Sequence, residues 1–274
     1  MQLVLARHLW GITELWEDVF PRIRATGYTA IEAPLPPPAD QPRFRTLLKE
    51  YGFDYIAMIF TAGTTVADHV ESFRAQVAAS QTFQPLLITS HSGRDGWDTE
   101  ASAAFFEQAL ALEASLEIPV AHETHRGRIL YNPWITSRLL EQFANLRLCC
   151  DLSHWVCVCE RLLDSELAII QQCAQHCIHL HARVGYEHGP QVPDPRAPEY
   201  QRHVEAHEYW WQLIWDAQAA QRRPISTLTP EFGPPSYLHT LPYSSMPVAN
   251  LWEICDWQAQ RQAARFRRHF GDQQ

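Results

Sequence analysis

Glu123, Asp151, His181 and Glu231 each close a short apolar run: Ile118–Glu123, Leu146–Asp151, Cys177–His181 and Ile225–Glu231. Carboxylate oxygens and imidazole nitrogens bind divalent cations of hard to borderline character. Three acids and one histidine therefore suit one ion of Zn, Mn, Mg or Co. The same carboxylates can also move protons. Either role requires four residues far apart in sequence to meet at one point. Parallel strands separated by helices bring this about, because their C-terminal ends lie on the same side of the sheet.

The rest of the chain shows the alternation this requires. Strand-like runs at Leu3–Ala6, Thr29–Ala33, Tyr55–Phe60 and Leu86–Ser90 are followed by helical stretches at Glu14–Thr26, Asp40–Tyr51, Val66–Ser80 and Thr99–Glu117. Gly27 and Gly52 stop the first two helices, and Asp98 is placed to cap the fourth. The strands ending at Glu123, Asp151, His181 and Thr229 are followed by helices Trp134–Ala144, Ser165–His176, Glu205–Arg222 and Leu251–His269. Eight strand–helix units in 274 residues predict one (β/α)8 TIM barrel, residues 1–274 forming a single domain. An open doubly wound sheet is the alternative.

Composition narrows the function. A formal charge of −9 is unsuited to a nucleic-acid surface. There is neither a G-x-G-x-x-G nor a Walker-type loop, which disfavours nucleotide cofactors. Lys49 is the only lysine and lies on a predicted outer helix, which disfavours Schiff-base and pyridoxal chemistry. The seven cysteines read as reduced core thiols. The opening apolar run is too short for a signal peptide, and no stretch approaches the roughly 18 apolar residues of a membrane span. A cytoplasmic protein is expected. Tyr209-Trp-Trp211 suits either core or a homo-oligomer interface.

At the strand ends of a barrel, further groups gather around the four presumed ligands. They are His8, Trp10, Glu32, His91, His125, His154, His179 and Arg183. His179 and His181 share one strand face by alternation. Trp10, Trp97 and Trp155 could furnish apolar walls or simple packing.

Glu123, Asp151-x-x-His154, His179-x-His181 and Glu231, set in the eight-unit rhythm, resemble the xylose isomerase-like TIM-barrel superfamily. That group contains sugar epimerases and isomerases, inosose dehydratases and zinc-dependent apurinic endonucleases. The resemblance implies that Glu123, Asp151, His181 and Glu231 ligate one metal and that His154 touches substrate. Glu32 matches a strand-two glutamate and His91 a strand-four ligand of the superfamily. Arg196 replaces an endonuclease histidine, and Phe60 and Thr61 stand where its strand-three histidine ligand would be, which disfavours three zincs and phosphodiester cleavage. Glu187 stands where the epimerases place a substrate arginine; Arg183 or Arg196 could substitute. The expected reaction is isomerisation or epimerisation of a small sugar or hydroxy-carbonyl compound through an enediolate, with Glu123 and Glu231 as the acid–base pair. His154, Arg183, His91, Glu32, His8 and Trp10 would surround the substrate. A metal-dependent dehydratase is the alternative, followed by an endonuclease-like hydrolase or a non-catalytic sugar-binding barrel.

Overall fold

The computed structural model describes residues 1–271. The strands are β1 (Gln2–His8), β2 (Ala30–Pro34), β3 (Asp54–Phe60), β4 (Leu87–His91), β5 (Val120–Glu123), β6 (Leu148–Cys150), β7 (Cys177–His181) and β8 (Ile225–Thr229). The helices are α1 (Trp16–Thr26), α2 (Gln41–Glu50), α3 (Val66–Gln81), α4 (Thr99–Glu113), α5 (Pro133–Gln142), α6 (Leu152–Cys159), α7 (Leu167–His176), α8 (Gln201–Ala220) and α9 (Leu251–Phe270). Each strand pairs in parallel with the next, and β8 returns to β1, closing a (β/α)8 barrel.

Local chemistry sets most element ends. Gly27 takes a left-handed φ of 101° and stops α1. Asp98 and Asn132 accept backbone N–H groups at the starts of α4 and α5, and Thr65 with Asp68 forms a capping box on α3. Two differences from the sequence reading have clear causes. β1 runs on to His8 because His8 pairs with Glu32 of β2. α6 was not expected: it is buried around most of its circumference, so its run of apolar residues has no helical period. Its start is fixed by Asp151, whose side chain accepts the Ser153 N–H.

Two apolar cores result. One lies between the sheet and the helices, and includes the fully buried Trp210, Trp211 and Trp215 of α8, whereas Tyr209 is half exposed. The other fills the lower barrel interior with Val4, Ala6, Ala30, Ile56, Leu87, Ala121, Cys149 and Ile178. Above that floor the interior turns polar. Glu32 of β2 meets Thr89 of β4, His179 of β7 and Thr229 of β8, contacts that can only cross the barrel lumen. The six buried cysteines and the half-buried Cys157 are all free thiols. Among the described residues no helix is long and apolar enough to cross a membrane.

Candidate active site

The C-terminal rim of the barrel carries the four presumed ligands. Glu123 ends β5, Asp151 follows β6, His181 ends β7, and Glu231 lies just beyond β8 after Pro230. One ligand atom from each lies within 4.8 Å of the others. His181 Nδ1 is 3.1 Å from Glu231 Oε2 and 3.5 Å from Glu123 Oε1. Thr124 ties two of the strand ends together. Its hydroxyl accepts the Asp151 N–H at 2.8 Å and donates to the Asp151 carbonyl at 2.9 Å.

Glu32 sits directly beneath this rim rather than in the cavity, and is fully buried. Its Oε1 contacts His181 Nε2 at 3.0 Å and accepts from Thr89 Oγ1 at 3.0 Å. Its Oε2 contacts His179 Nε2 at 3.2 Å and accepts from Thr229 Oγ1. Burial opposes ionisation of Glu32, but His181 and His179 hold its carboxyl well below the ordinary value. A carboxylate there makes His181 Nε2 the donor and turns Nδ1 toward Glu123 and Glu231, the orientation that outer-shell carboxylates give metal-bound histidines.

The donor set fits a cation. The oxygens of Glu123 and His181 Nδ1 are buried and make no hydrogen bond of acceptable geometry; their only close neighbours are ion-pair contacts among the rim residues, His91 Nε2 at 2.6 Å from Glu123 among them. Unsatisfied buried carboxylate oxygens are costly unless a positive charge meets them. Burial opposes charging of His181, yet Cys149, Glu231, Glu32 and Glu123 together raise its pKa well above the ordinary value. A divalent ion would take the place of that proton. Burial likewise opposes ionisation of Glu123, which His91 and His181 keep well below the ordinary carboxylate range. Asp151 is the most occupied of the four. Its Oδ1 accepts from the Ser153 N–H at 3.1 Å and the Ser153 hydroxyl at 2.5 Å, and its Oδ2 accepts from Arg183. Burial and repulsion from Glu123 and Glu231 push its carboxyl up to about 6 even with Arg183 against it.

Arg183 and three histidines flank the acids. The buried Arg183 guanidinium lies 3.4 Å from Glu231, meets His154 Nε2 at 2.6 Å and stacks over Tyr237 at 4.9 Å. His91 Nε2 is 2.6 Å from Glu123 Oε2. Ring centroids place His91 4.6 Å from His125, and His125 3.9 Å from His154. Burial keeps both His125 and His154 uncharged, lowering His125 to about 3 and His154 well below its ordinary value. They therefore resist protonation and contribute no standing charge, which leaves them the part of hydrogen-bond partners.

The rim opens on a cavity of about 600 Å³. Trp10, His91, Arg183 and Glu231 line it, and so does His125. His154 lies behind His125, fully buried. His8 is also fully buried, its Nε2 3.6 Å from Cys255 Sγ, with its ring 6.4 Å from Trp10. Trp97 packs edge-on to His69, and the buried Trp155 donates to the Leu130 carbonyl, so both serve packing. Asp194 is held by Arg196, and Glu187 by His203. Sequence reasoning did not find Tyr237, Arg128, Ser153 or Thr124. Ser153 was legible in principle, as the third residue of an Asp-x-Ser cap. Tyr237 stands in a long loop with no periodicity to direct it.

No family model matches the sequence, and no curated relative does either. Solved structures do match. A probable 3-DHS dehydratase from Bacillus anthracis is 12% identical, with a TM-score of 0.61 over 95% of this chain and 98% of that one. Endonuclease IV from Thermus thermophilus is 13% identical, with a TM-score of 0.59 over 98% and 100%. A 3-keto-D-glucoside 4-epimerase from E. coli is 9% identical, with a TM-score of 0.62 over 96% and 100%. At such identities the likeness concerns the backbone alone: the chain shares its (β/α)8 fold with these three enzymes.

Proposed function

We propose that this protein is a divalent-metal-dependent isomerase or epimerase of a small, sugar-like hydroxy-carbonyl compound. One observation carries the reading. Ligand atoms of Glu123, Asp151, His181 and Glu231 converge within 4.8 Å of one another beside a cavity of about 600 Å³, within the range of about 300–1,000 Å³ that holds small ligands. Glu123, Asp151, His181 and Glu231 would hold the ion, and the ligand types suit Zn, Mn, Mg or Co equally. When bound, the ion supplies Lewis acidity to the substrate's carbonyl and hydroxyl oxygens.

The chain's own residues do the rest. One of Glu123 and Glu231 takes the proton from the carbon next to the carbonyl, and the other returns a proton to the adjacent position or the opposite face. Glu231 is 4% exposed at the cavity edge, so its carboxylate reaches substrate while little water reaches it. Arg183 offsets the negative charge that builds on the substrate oxygen, and Tyr237 holds the guanidinium in place. His91 and His125 stand where substrate hydroxyls need hydrogen-bond partners. Supporting the reading, a probable dehydratase and a sugar epimerase share the fold.

The decisive experiment follows solvent deuterium into candidate ketoses by NMR, with the protein loaded with Mn²⁺. Exchange is expected in the native chain and absent in Glu231→Gln, with circular dichroism unchanged. Full exchange in that variant ends the two-glutamate scheme. Dehydration is a second reading, supported by the fold shared with a probable dehydratase: it starts with the same proton removal, and the glutamic acid so formed returns that proton to the departing β-hydroxyl, which leaves as water. A product lighter by one water would select it.

A further inference from the structure

We propose that the substrate carries an apolar group, of about aromatic-ring size, beside its hydroxy-carbonyl head, seated against the wall that follows β2. The proposal rests on the reaction assigned above and adds the class of molecule that the cavity selects.

The cavity has two unlike sides. Its polar side is formed by His91, His125, Arg128, Arg183, Glu231 and Tyr237. The other side begins with Pro34-Leu35-Pro36-Pro37. Three of those four residues have no backbone N–H. The carbonyls of Pro36 and Pro37 are already engaged, by the Gln41 side chain at 3.1 Å and the Asp40 N–H at 2.9 Å.

The neighbouring strands offer no more. The Leu9 N–H donates to the Glu32 carbonyl, and the Leu9 carbonyl accepts from Ile12. Tyr55 occupies the Ala33 carbonyl at 2.7 Å, and Gln76 binds both the N–H and the carbonyl of Phe60. The side chains here are those of Leu35, Phe44, Met58 and Phe60 with two tryptophans, Trp10 and Trp16, whose indole nitrogens are, among the described residues, the only side-chain N or O atoms lining this side.

A bare sugar pressed on such a wall would lose water from hydroxyls that find few partners there. An apolar substituent loses nothing and gains contact with aromatic and thioether surface. Trp10 and Phe60 are 39% and 36% exposed, so apolar surface awaits a ligand at the mouth of the cavity. Ordinary surface scatter places single apolar residues, not a continuous wall facing a polar pole.

The test uses two hydroxy-ketones that differ in one substituent: hydroxyacetone, with a methyl group, and 2-hydroxyacetophenone, with a phenyl group. Calorimetry on the full chain with Mn²⁺ gives their dissociation constants. The phenyl ketone is expected to bind at least tenfold more tightly. Leu35→Gln, at a half-buried loop position, should bring the two affinities to within about threefold, and Met58→Gln should do the same if it folds. Equal affinities in the native chain overturn the proposal, as do an undetectable phenyl ketone and a preference that survives Leu35→Gln. Deuterium exchange at the α-carbon, read on the same samples, keeps the two ideas apart. Exchange without phenyl preference removes the wall and spares the reaction. Phenyl preference without exchange does the reverse.

Discussion

Asp151 shows how one residue serves structure and chemistry at once. Its carboxylate caps α6 through Ser153, neutralises the buried Arg183 and faces Glu123 and Glu231. Removing one partner of a buried ion pair leaves the other charge without compensation, at a cost of about 3–5 kcal/mol. Asp151→Ala is therefore expected to lower bound metal well below one ion per chain and to cost stability of that order. Metal analysis and urea unfolding on the same preparation check both. Full metal occupancy would remove Asp151 from the ligand set, and unchanged stability would mean that Arg183 finds another partner. Glu32 is the second instructive residue. It reads from sequence as a substrate contact, but four polar neighbours across the lumen engage it, and its influence on the cavity passes through His181.

At the scale of elements, the first turn of α6 and the loop after β7 are packed closely enough to transmit errors. A Cβ on Gly185 would lie 2.6 Å from the Ser153 carbonyl oxygen, so only glycine lets that loop approach the helix. The Gly185 N–H donates to His207 Nε2 of α8 at 3.2 Å, while His207 Nδ1 donates to the His203 carbonyl at 2.8 Å. Burial lowers His207 to about 3, against about 6.5 in an unfolded chain. The sign follows from proton uptake. Below pH 6.5 the unfolded chain binds a proton that the folded chain refuses, so the stability conferred by neutral His207 is complete above 6.5 and is lost progressively as pH falls toward 3. His207→Gln should lower stability at pH 7 and flatten its decline between pH 6.5 and 4.5. Urea midpoints at both pH values test this, and a decline as steep as in the native chain would refute it.

For the whole molecule, an ion that binds only the folded state adds stability by mass action. At about 100 times its dissociation constant that amounts to about 2.7 kcal/mol, and for a chain somewhat longer than 250 residues each kcal/mol moves the melting temperature by roughly 2–4 °C or slightly less. Mn²⁺ should therefore raise the melting temperature by several degrees, and EDTA should reverse the rise. Asp151→Ala should respond far less. A melting temperature indifferent to Mn²⁺, Zn²⁺, Mg²⁺ and Co²⁺ alike would show that Arg183 and the protonated His181 balance the carboxylates without any ion.

The sequence alone determined the barrel, because eight apolar runs separated by amphipathic stretches leave few ways to bury both faces of a parallel sheet. It also determined that Glu123, Asp151, His181 and Glu231 share one rim, since strand ends of a closed parallel barrel point the same way. Only the tertiary structure decided the distances among them and which nitrogen of His181 faces the acids. It alone withdrew His8 and Glu32 from the cavity and brought in Tyr237, and it alone assembled a proline wall opposite a polar pole. Strand periodicity fixes which face a residue occupies. Depth along the barrel axis and the path of an irregular loop depend on side-chain contacts between segments far apart in the chain, such as Glu32 with His181, and those contacts leave no local pattern.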